Sequence, residues 1–307
     1  MKNHFILIIF LFSSVLVKRS QAADDKSNFN LPKSKTQVCE NFKNKYYTQR
    51  TNNFENLLLR NTSGWLNTGL CWWTSRLQRS ALYLAYLSPN KPKPNKLQAK
   101  KIIRKLFHMR SLVEVPGYSN FYDFFIDYNE LIENQLSAKQ IEESYTYFSH
   151  NMPYAKNASH KRLKKEIASL KKVLSQKDLP YMIIKYKDRN LSFKDKMTNH
   201  SVLANSIISG QKKNRKNCEL ITYLDSNDFS LPEVMRIKKS DKPYEKTKQK
   251  AIQFCKGENF GTLGYIDLKS QKFENSTKSS KTKRVVFFNQ RNRDLKKLQH
   301  TLKSECQ

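Results

Sequence analysis

Cys71 is the residue whose type and setting best fit a chemical role. It follows Gly69-Leu70 and precedes Trp72-Trp73, and the apolar residues after it recur at helical spacing. The N-terminus of a helix favours a thiolate, because free backbone N–H groups and the positive end of the helix macrodipole stabilise the anion. Such a thiolate would act as a nucleophile. The alternative is that Cys71 is a small buried hydrophobic residue that packs beside the tryptophans.

A thiol nucleophile needs a base to accept its proton, and the base needs a third group to orient it. Among the six histidines, His200 stands immediately before an apolar run at residues 202–208 that is typical of a strand. A second predicted strand, at residues 219–224, leads directly to Asp225 and Asn227. If the two strands pair antiparallel through the basic loop between them, the beginning of the first lies near the end of the second. Asp225 or Asn227 would then be within reach of His200.

The order and local sequences of these residues resemble those of the papain-like cysteine peptidases. The segment Gly-Leu-Cys-Trp-Trp-Thr-Ser, which ends at Ser75, is similar to the family's G-S-C-W-x-x-S nucleophile segment. The triplet His-Ser-Val that begins at His200 is similar to the family's H-A-V strand entry, and it follows the cysteine by about 130 residues, near the spacing usual in papain relatives. The Leu-Asp-Ser-Asn that ends at Asn227 is similar to the D-P-N of bacterial relatives, in which Asp replaces papain's Asn.

The resemblance implies a role for each of these residues. Cys71 would be the nucleophile, and His200 the base and later the acid. Asp225 would orient the imidazole, with Asn227 as its substitute. The reaction would be acyl transfer, in which the thiolate attacks a carbonyl carbon, a thioester acyl-enzyme forms, and water releases the acyl group. The expected substrate is a peptide or a protein, while an amidase or transglutaminase reaction, or the same fold without activity, stays open.

The group that holds the oxyanion is where the chain departs from the family. Papain relatives carry a Gln six positions before the cysteine, whereas Trp65 stands at that position here. The nearest side-chain amide is that of Asn67, so we expect Asn67 or the backbone N–H of Cys71 to hold the oxyanion. Loss of one oxyanion donor typically lowers the rate by about 10²–10³. The first Cys of the family's C-G-S-C segment is also replaced, by Thr68.

The periodicity of the chain predicts helices first and strands afterwards. Apolar residues at helical steps predict helices over residues 71–87, 97–113, 138–150 and 161–174. Short apolar or alternating runs predict strands over residues 181–186, 202–208, 219–224, 234–237, 263–268 and 285–288. This order indicates the α+β class. Together with the resemblance it predicts a papain-like fold, in which an N-terminal helical part carrying the Cys71 helix packs on a C-terminal antiparallel β-sheet.

The N-terminus has the pattern of a secretory signal peptide. Lys2 precedes an apolar run at residues 5–17, and a Ser-Gln-Ala tripeptide that fits a cleavage site ends at Ala22. We therefore expect cleavage after Ala22 and a secreted or periplasmic protein. The basic pair Lys18-Arg19 leaves an uncleaved anchor as an alternative, although the apolar run is short for a membrane span.

The mature chain is long enough for one large domain. We expect a signal peptide at residues 1–22, an N-terminal arm at 23–60, a papain-like domain at 61–291 and a basic tail at 292–307. All five cysteines follow the predicted signal peptide, and four of them could form two disulfides and leave one thiol, with the pairing open. The sequence has no C-x-x-C and no His/Cys cluster with metal-ligand spacing, so neither a metal nor a cofactor is expected.

The chain carries a net charge of +31. Such a surface attracts anionic polymers such as nucleic acid, acidic cell-wall polymers or anionic lipid, although a general richness in Lys would also account for the charge. No nucleic-acid-binding signature is present, so contact with an anionic polymer or cell surface is expected rather than specific nucleic-acid binding. A basic secreted binding protein without catalysis is therefore the alternative function, supported by four arginines: Arg76, Arg79, Arg104 and Arg110. We expect a monomer.

Overall fold

The computed structural model describes residues 31–44, 70–151, 160–187, 197–213, 216–224, 248–258, 261–267, 270–275, 284–289 and 293–307. The helices are α1 (Lys35–Asn44), α2 (Leu70–Leu84), α3 (Lys96–His108), α4 (Phe121–Asp127), α5 (Asn129–Asn151), α6 (His160–Ser175) and α7 (Arg293–Glu305). The strands are β1 (Ala85–Ser88), β2 (Val113–Pro116), β3 (Tyr181–Lys187), β4 (Met197–Lys213), β5 (Lys216–Leu224), β6 (Lys248–Cys255), β7 (Gly261–Asp267), β8 (Phe273–Asn275) and β9 (Arg284–Asn289). This mixture of helix and sheet confirms the predicted α+β class.

Strands β3 to β9 form a seven-stranded antiparallel sheet in the order β6-β5-β4-β3-β9-β7-β8. Because β6 also pairs with β7, the sheet closes on itself and forms a barrel. Closure pairs the strand edges that an open sheet would expose. Apolar side chains from several strands and from α6 fill the barrel; the buried ones are Leu170, Met182, Ile184, Val202, Ala204, Ile221, Tyr223, Ile252, Phe254 and Leu263.

Helix α2 is the centre of a second layer, the helical layer, which consists of α1 to α5, α7, β1 and β2. Its residues Trp73, Leu77 and Ala81 are fully buried. A helix that is apolar on more than one face is expected to be surrounded by other elements. The core of this layer is continuous with one side of the barrel, because Tyr181 of β3 and Leu203 of β4 belong to the same buried cluster.

Two helices end earlier than the sequence predicted. α2 ends at Leu84 instead of residue 87, because the next four residues form β1 and pair in parallel with β2, beginning with Ala85 opposite Val113. α3 ends at His108 instead of residue 113, because Met109 adopts a left-handed conformation with φ 53° and closes the helix. Helical periodicity alone did not separate these short strands from the helices before them.

The strands predicted at residues 181–186, 202–208, 219–224, 263–268 and 285–288 each overlap an observed strand. β6 was not predicted, because its buried residues Gln249 and Gln253 are polar and weaken the apolar pattern. The predicted strand at residues 234–237 and the predicted signal peptide at residues 1–22 lie outside the described residues.

Two disulfides are present, as the sequence predicted. Cys39 of α1 bonds Cys306, which directly follows α7, and Cys218 of β5 bonds Cys255 of β6. Cys71 is the fifth cysteine. The described parts of the predicted arm and tail pack in the helical core through five buried side chains: Leu31, Val38, Leu295, Leu298 and Leu302. Over the ranges that the structure describes, no helix is both long and apolar enough to cross a membrane.

Candidate active site at the junction of helix α2 and the barrel

The backbone of Cys71 lies in the first turn of α2, which begins at Leu70. Backbone N–H groups in the first turn of a helix have no carbonyl partner within the helix. The first turn of α2 contains no acidic residue that would offset this positive potential. The local field at the position of Cys71 therefore favours an anion.

The backbone of His200 lies within β4, which differs from the expected position immediately before a strand. β4 begins at Met197, because β3 is long enough to pair with it from Tyr181 to Lys187. In this register His200 is opposite Ile184, whose side chain is fully buried in the barrel. His200 is thus paired with β3, and its position lies on the sheet face of Ile184 and Val202, which belong to the barrel core. Tyr181 and Leu203, on the other face, belong to the core of the helical layer.

A hydrogen bond joins the helix that carries Cys71 to the strand that carries His200. The Ser75 hydroxyl donates to the carbonyl oxygen of Ser201 at 2.9 Å, and the bond is buried. Ser75 lies one helical turn after Cys71 and therefore on the same face of α2. Ser201 is the residue next to His200. The first turns of α2 and the beginning of β4 are in direct contact.

Strands β4 and β5 pair antiparallel, as the sequence predicted for residues 202–208 and 219–224. The last described pair is Leu203 opposite Leu224. Asp225 and Asn227, the two candidates for the orienting group, lie outside the described residues, although the chain leads to them directly from Leu224. Asn67, the candidate oxyanion donor, also lies outside them.

Next to this contact, the fully buried side chain of Arg79 connects α2 with the barrel. Its guanidinium carbon lies 3.6 Å from the centroid of the Tyr181 ring, a cation–π geometry. Its NH1 group donates to the carbonyl oxygen of Leu179 at 3.3 Å, and its NH2 group lies 3.9 Å from the Asp294 carboxylate. Burial raises the pKa of Tyr181 well above its ordinary value, and the Arg79 charge opposes that rise.

A second buried group of polar atoms surrounds Tyr83 at the other end of α2. The Tyr83 hydroxyl donates to Asp178 Oδ1 at 2.9 Å and accepts from the backbone N–H of Leu179 at 3.0 Å. Gln299 donates to the other carboxylate oxygen of Asp178 at 2.8 Å. Burial and the neighbouring Asp178 carboxylate raise the pKa of Tyr83 well above its ordinary value. The tyrosine therefore stays neutral and bridges α2 to the turn before β3.

The structural role of these junction residues was not predicted from the sequence. Arg76 and Arg79 were expected to support binding of an anionic partner, whereas Arg79 is fully buried and Arg76 is paired with Asp294 at 2.8 Å. An arginine inside an otherwise apolar helix was the available signal, because a buried cation requires partners. The partners of Arg79 could not be identified from sequence, since Tyr181 and Asp294 are far from α2 along the chain.

No metal site is formed in the described part of the chain, where no three His, Cys, Asp or Glu side chains group closely enough to hold an ion. No protein-family model, curated protein or solved structure matches this chain. The similarity to papain-like peptidases therefore depends on the short motifs and on the order of the residues.

Proposed function

We propose that the protein is a secreted papain-like thiol hydrolase with Cys71 as nucleophile and His200 as base. The observation that carries the proposal is the buried hydrogen bond from Ser75 to the carbonyl of Ser201. It joins the first turns of α2 to the part of β4 that contains His200. A nucleophile and its base must come within hydrogen-bonding reach, and contact between their supporting elements is the first requirement.

The arrangement of the two layers also supports the proposal. The resemblance predicts a helix carrying the cysteine packed against an antiparallel sheet carrying the histidine. In the described residues, the ring of Trp72, the neighbour of Cys71, lies 5.1 Å from the ring of Tyr181 in β3. Tyr181 is in turn paired with Leu203 of β4. The beginning of α2 thus packs against β3, which pairs with the strand that carries His200.

In the proposed reaction, the Cys71 thiol transfers its proton to the His200 imidazole, and the thiolate attacks the substrate carbonyl carbon. The N-terminus of α2 stabilises the thiolate and the oxyanion, with Asn67 as the side-chain donor. The protonated imidazole then donates its proton to the leaving group, and a thioester remains. Water, deprotonated by His200, attacks the thioester and restores the thiol. A peptide or protein is the proposed substrate. An amidase would use the same steps, whereas in a transglutaminase an amine, instead of water, would attack the thioester and accept the acyl group.

Alkylation of the mature protein with an iodoacetamide probe at mildly acidic pH tests this proposal. We expect fast labelling at Cys71, no labelling there in Cys71→Ala, and much slower labelling in His200→Ala. His108→Ala is the matched control, because His108 is an exposed residue on α3 and its loss leaves the dyad intact. If Cys71 is inert below neutral pH, or if His200→Ala labels as fast as the control, the proposed dyad is wrong.

The proposed location is outside the cytoplasm. Two disulfides in a chain of this length are typical of secreted or periplasmic proteins. N-terminal sequencing of the exported protein should begin at Ala23 if the chain is cleaved after Ala22 as proposed. An N-terminus at Met1 in a membrane fraction would instead support the uncleaved anchor.

A basic binding protein remains the second candidate, because cations of α3, α5 and α7 lie near His108. Partial burial, followed by the charges of Lys139, Arg110, Arg104 and Lys297, lowers the pKa of His108. Anionic polymers would be attracted to this surface, and the attraction would weaken with salt. Salt-sensitive binding to an acidic polysaccharide that is lost in Arg104→Ala/Arg110→Ala, with an inert Cys71, would favour this candidate over the hydrolase.

A further inference from the structure

The C-terminal helix α7 lies across the junction between the helical layer and the barrel, and we call it the strap. Its buried side chains Leu295, Leu298 and Leu302 belong to the core of the helical layer. The hydroxyl of Thr301 donates to the carbonyl of Met109 at 2.6 Å, which fixes the middle of the strap to the end of α3. Two of its polar residues contact other elements: Asp294 pairs with Arg76 of α2, and Gln299 donates to Asp178 in the turn before β3.

Asp294 is the residue through which the beginning of the strap contacts α2. One of its carboxylate oxygens lies 2.8 Å from Nε of Arg76 and 3.9 Å from NH2 of Arg79. The Asp294 side chain is 21% exposed, whereas those of Arg76 and Arg79 are 12% and 0% exposed. One carboxylate therefore serves two arginines in a region with little water. Ion pairs in such a region are screened less than surface pairs.

Arg79 extends this contact from the strap to the barrel. Its guanidinium stacks on Tyr181 at 3.6 Å and donates to the carbonyl of Leu179. Gln299, farther along the strap, donates to Asp178 in the same turn before β3. The strap thus contacts α2 directly and β3 through Arg79 and Asp178. Both elements are next to β4, because β3 pairs with β4 and α2 contacts it through Ser75.

The ends of the strap are held by different means. Asp294, in the first turn, is held by the arginines of α2. The other end is tied to α1 by the disulfide from Cys306 to Cys39, and Glu305 pairs with Lys35 at 3.0 Å. A helix that is fixed at both ends resists displacement at its middle, where Gln299 and Thr301 make their contacts.

We propose that Asp294 is a positioning residue of the proposed Cys71–His200 site, acting through Arg76 and Arg79. By holding both arginines, it fixes the rotation of α2 against β3 and so the approach of Cys71 to β4. This inference rests on the proposed function. A misplacement of about 1 Å far from the reacting atoms can lower a rate by on the order of 10²-fold.

The experiment compares Cys71 alkylation by iodoacetamide at about pH 6 and about pH 9.5, where an ordinary cysteine is respectively a thiol and a thiolate. In Asp294→Asn we expect the rate at the lower pH to fall by about tenfold or more, because the low-pH rate needs His200 in place. The rate at the higher pH should change little. Asp127→Asn is the matched control, since it makes the same chemical change in an ion pair with Lys93 that does not involve the strap.

If Asp294 had a purely structural role, the alkylation rates of Cys71 at the two pH values would change differently. General loosening would change the rates at both pH values together, and that result would overturn the proposal. Equal pH profiles in Asp294→Asn and the wild-type protein would also overturn it. An inert Cys71 in the wild-type protein would instead refute the proposed function. In that case, faster hydrogen exchange of α2 amides in Asp294→Asn than in Asp127→Asn would still show that the strap holds α2, and equal exchange would show that it does not.

Should Asp294→Asn fail to fold, a pair of double variants tests the same strap. Cys39→Ser/Cys306→Ser releases its far end, while Cys218→Ser/Cys255→Ser removes a disulfide inside the barrel. We expect only the first double variant to lower the ratio of the low-pH to the high-pH labelling rate. An unchanged ratio in a folded Cys39→Ser/Cys306→Ser protein would contradict the role of the strap.

Discussion

The Ser75 hydroxyl donates a buried hydrogen bond of 2.9 Å to the carbonyl oxygen of Ser201. The two residues are neighbours only because a helix and a strand that are far apart in the chain pack together. The bond satisfies a carbonyl that faces α2 in the interior of the protein. A buried carbonyl without a partner is costly, so this contact stabilises the position of α2 on β4.

Replacing Ser75 by Ala should therefore weaken the junction. The Ser201 carbonyl would lose its donor in a buried place, and we expect the free energy of unfolding to fall by about 1–3 kcal/mol. Urea denaturation followed by tryptophan fluorescence measures the change. Ser304→Ala, on the exposed face of α7, is the control and should change stability by less than about 0.5 kcal/mol. Equal stability of the two variants would show that the bond contributes nothing.

The buried tyrosines predict loss of stability at alkaline pH. The pKa values of Tyr83 and Tyr181 are raised in the folded protein, chiefly by burial. Because their pKa values are raised, the tyrosines of the folded state keep protons that the unfolded state releases above about pH 10. The free energy of unfolding therefore has its full value below that pH and falls as the pH rises further. Unfolding free energies measured from about pH 9 upward should show this fall. Tyr83→Phe should make it less steep, whereas a slope identical to wild type would contradict the assignment.

The two disulfides should contribute unequally to stability. Their sequence separations are 267 for Cys39–Cys306 and 37 for Cys218–Cys255. In the chain-entropy model a longer closed loop restricts the unfolded chain more, and the difference here is about 2 kcal/mol. We expect Cys39→Ser/Cys306→Ser to lose more stability than Cys218→Ser/Cys255→Ser in guanidinium titrations. The reverse order would mean that contacts in the folded state outweigh the loop entropy.

The surroundings of Gly264 in β7 are too closely packed for a side chain. A Cβ atom at this position would collide with the carbonyl oxygen of Glu274 on β8 and with the Phe273 ring at 2.5 Å. Gly264→Ala should therefore destabilise the protein by about 1–3 kcal/mol. Gly257→Ala is the control for added volume, because no atom lies within 4 Å of a Cβ there, although φ of +85° adds backbone strain. A smaller loss in thermal stability for Gly264→Ala than for Gly257→Ala would contradict the steric argument.

Much of the fold could be predicted because its elements have clear local patterns. The apolar residues of α2 recur at helical steps, and the short apolar runs of β3, β5 and β9 stand between polar segments. β6 could not be predicted in this way, since two of its buried residues, Gln249 and Gln253, are polar. The predicted end of α2 was wrong because the next four residues pair with β2, and the predicted end of α3 was wrong because Met109 adopts a left-handed conformation.

For the candidate site, the sequence could predict which elements meet but not what holds them. The antiparallel pairing of β4 with β5 followed from two strand patterns and the loop between them. Asp294, by contrast, stands in a basic segment that was predicted to be a C-terminal tail. Its role depends on a contact with Arg76, more than 200 residues earlier in the chain. Such contacts between distant residues leave no local pattern.

The orienting group of His200 can be decided by comparing Asn227 with Asp225. The described register ends at Leu203 opposite Leu224. His200 stands as many residues before Leu203 as Asn227 stands after Leu224, and residues at equal distances from an antiparallel pair are expected to be opposite one another.

We therefore expect Asn227→Ala to lower the rate of Cys71 alkylation at mildly acidic pH more than Asp225→Ala does. The physical reason is that the imidazole must be held in one orientation to accept the thiol proton. Both variants should retain the wild-type labelling rate at alkaline pH, where the base is not needed. A larger effect of Asp225→Ala would favour the aspartate suggested by the resemblance to bacterial relatives, and the absence of an effect in both variants would mean that His200 is oriented by another group.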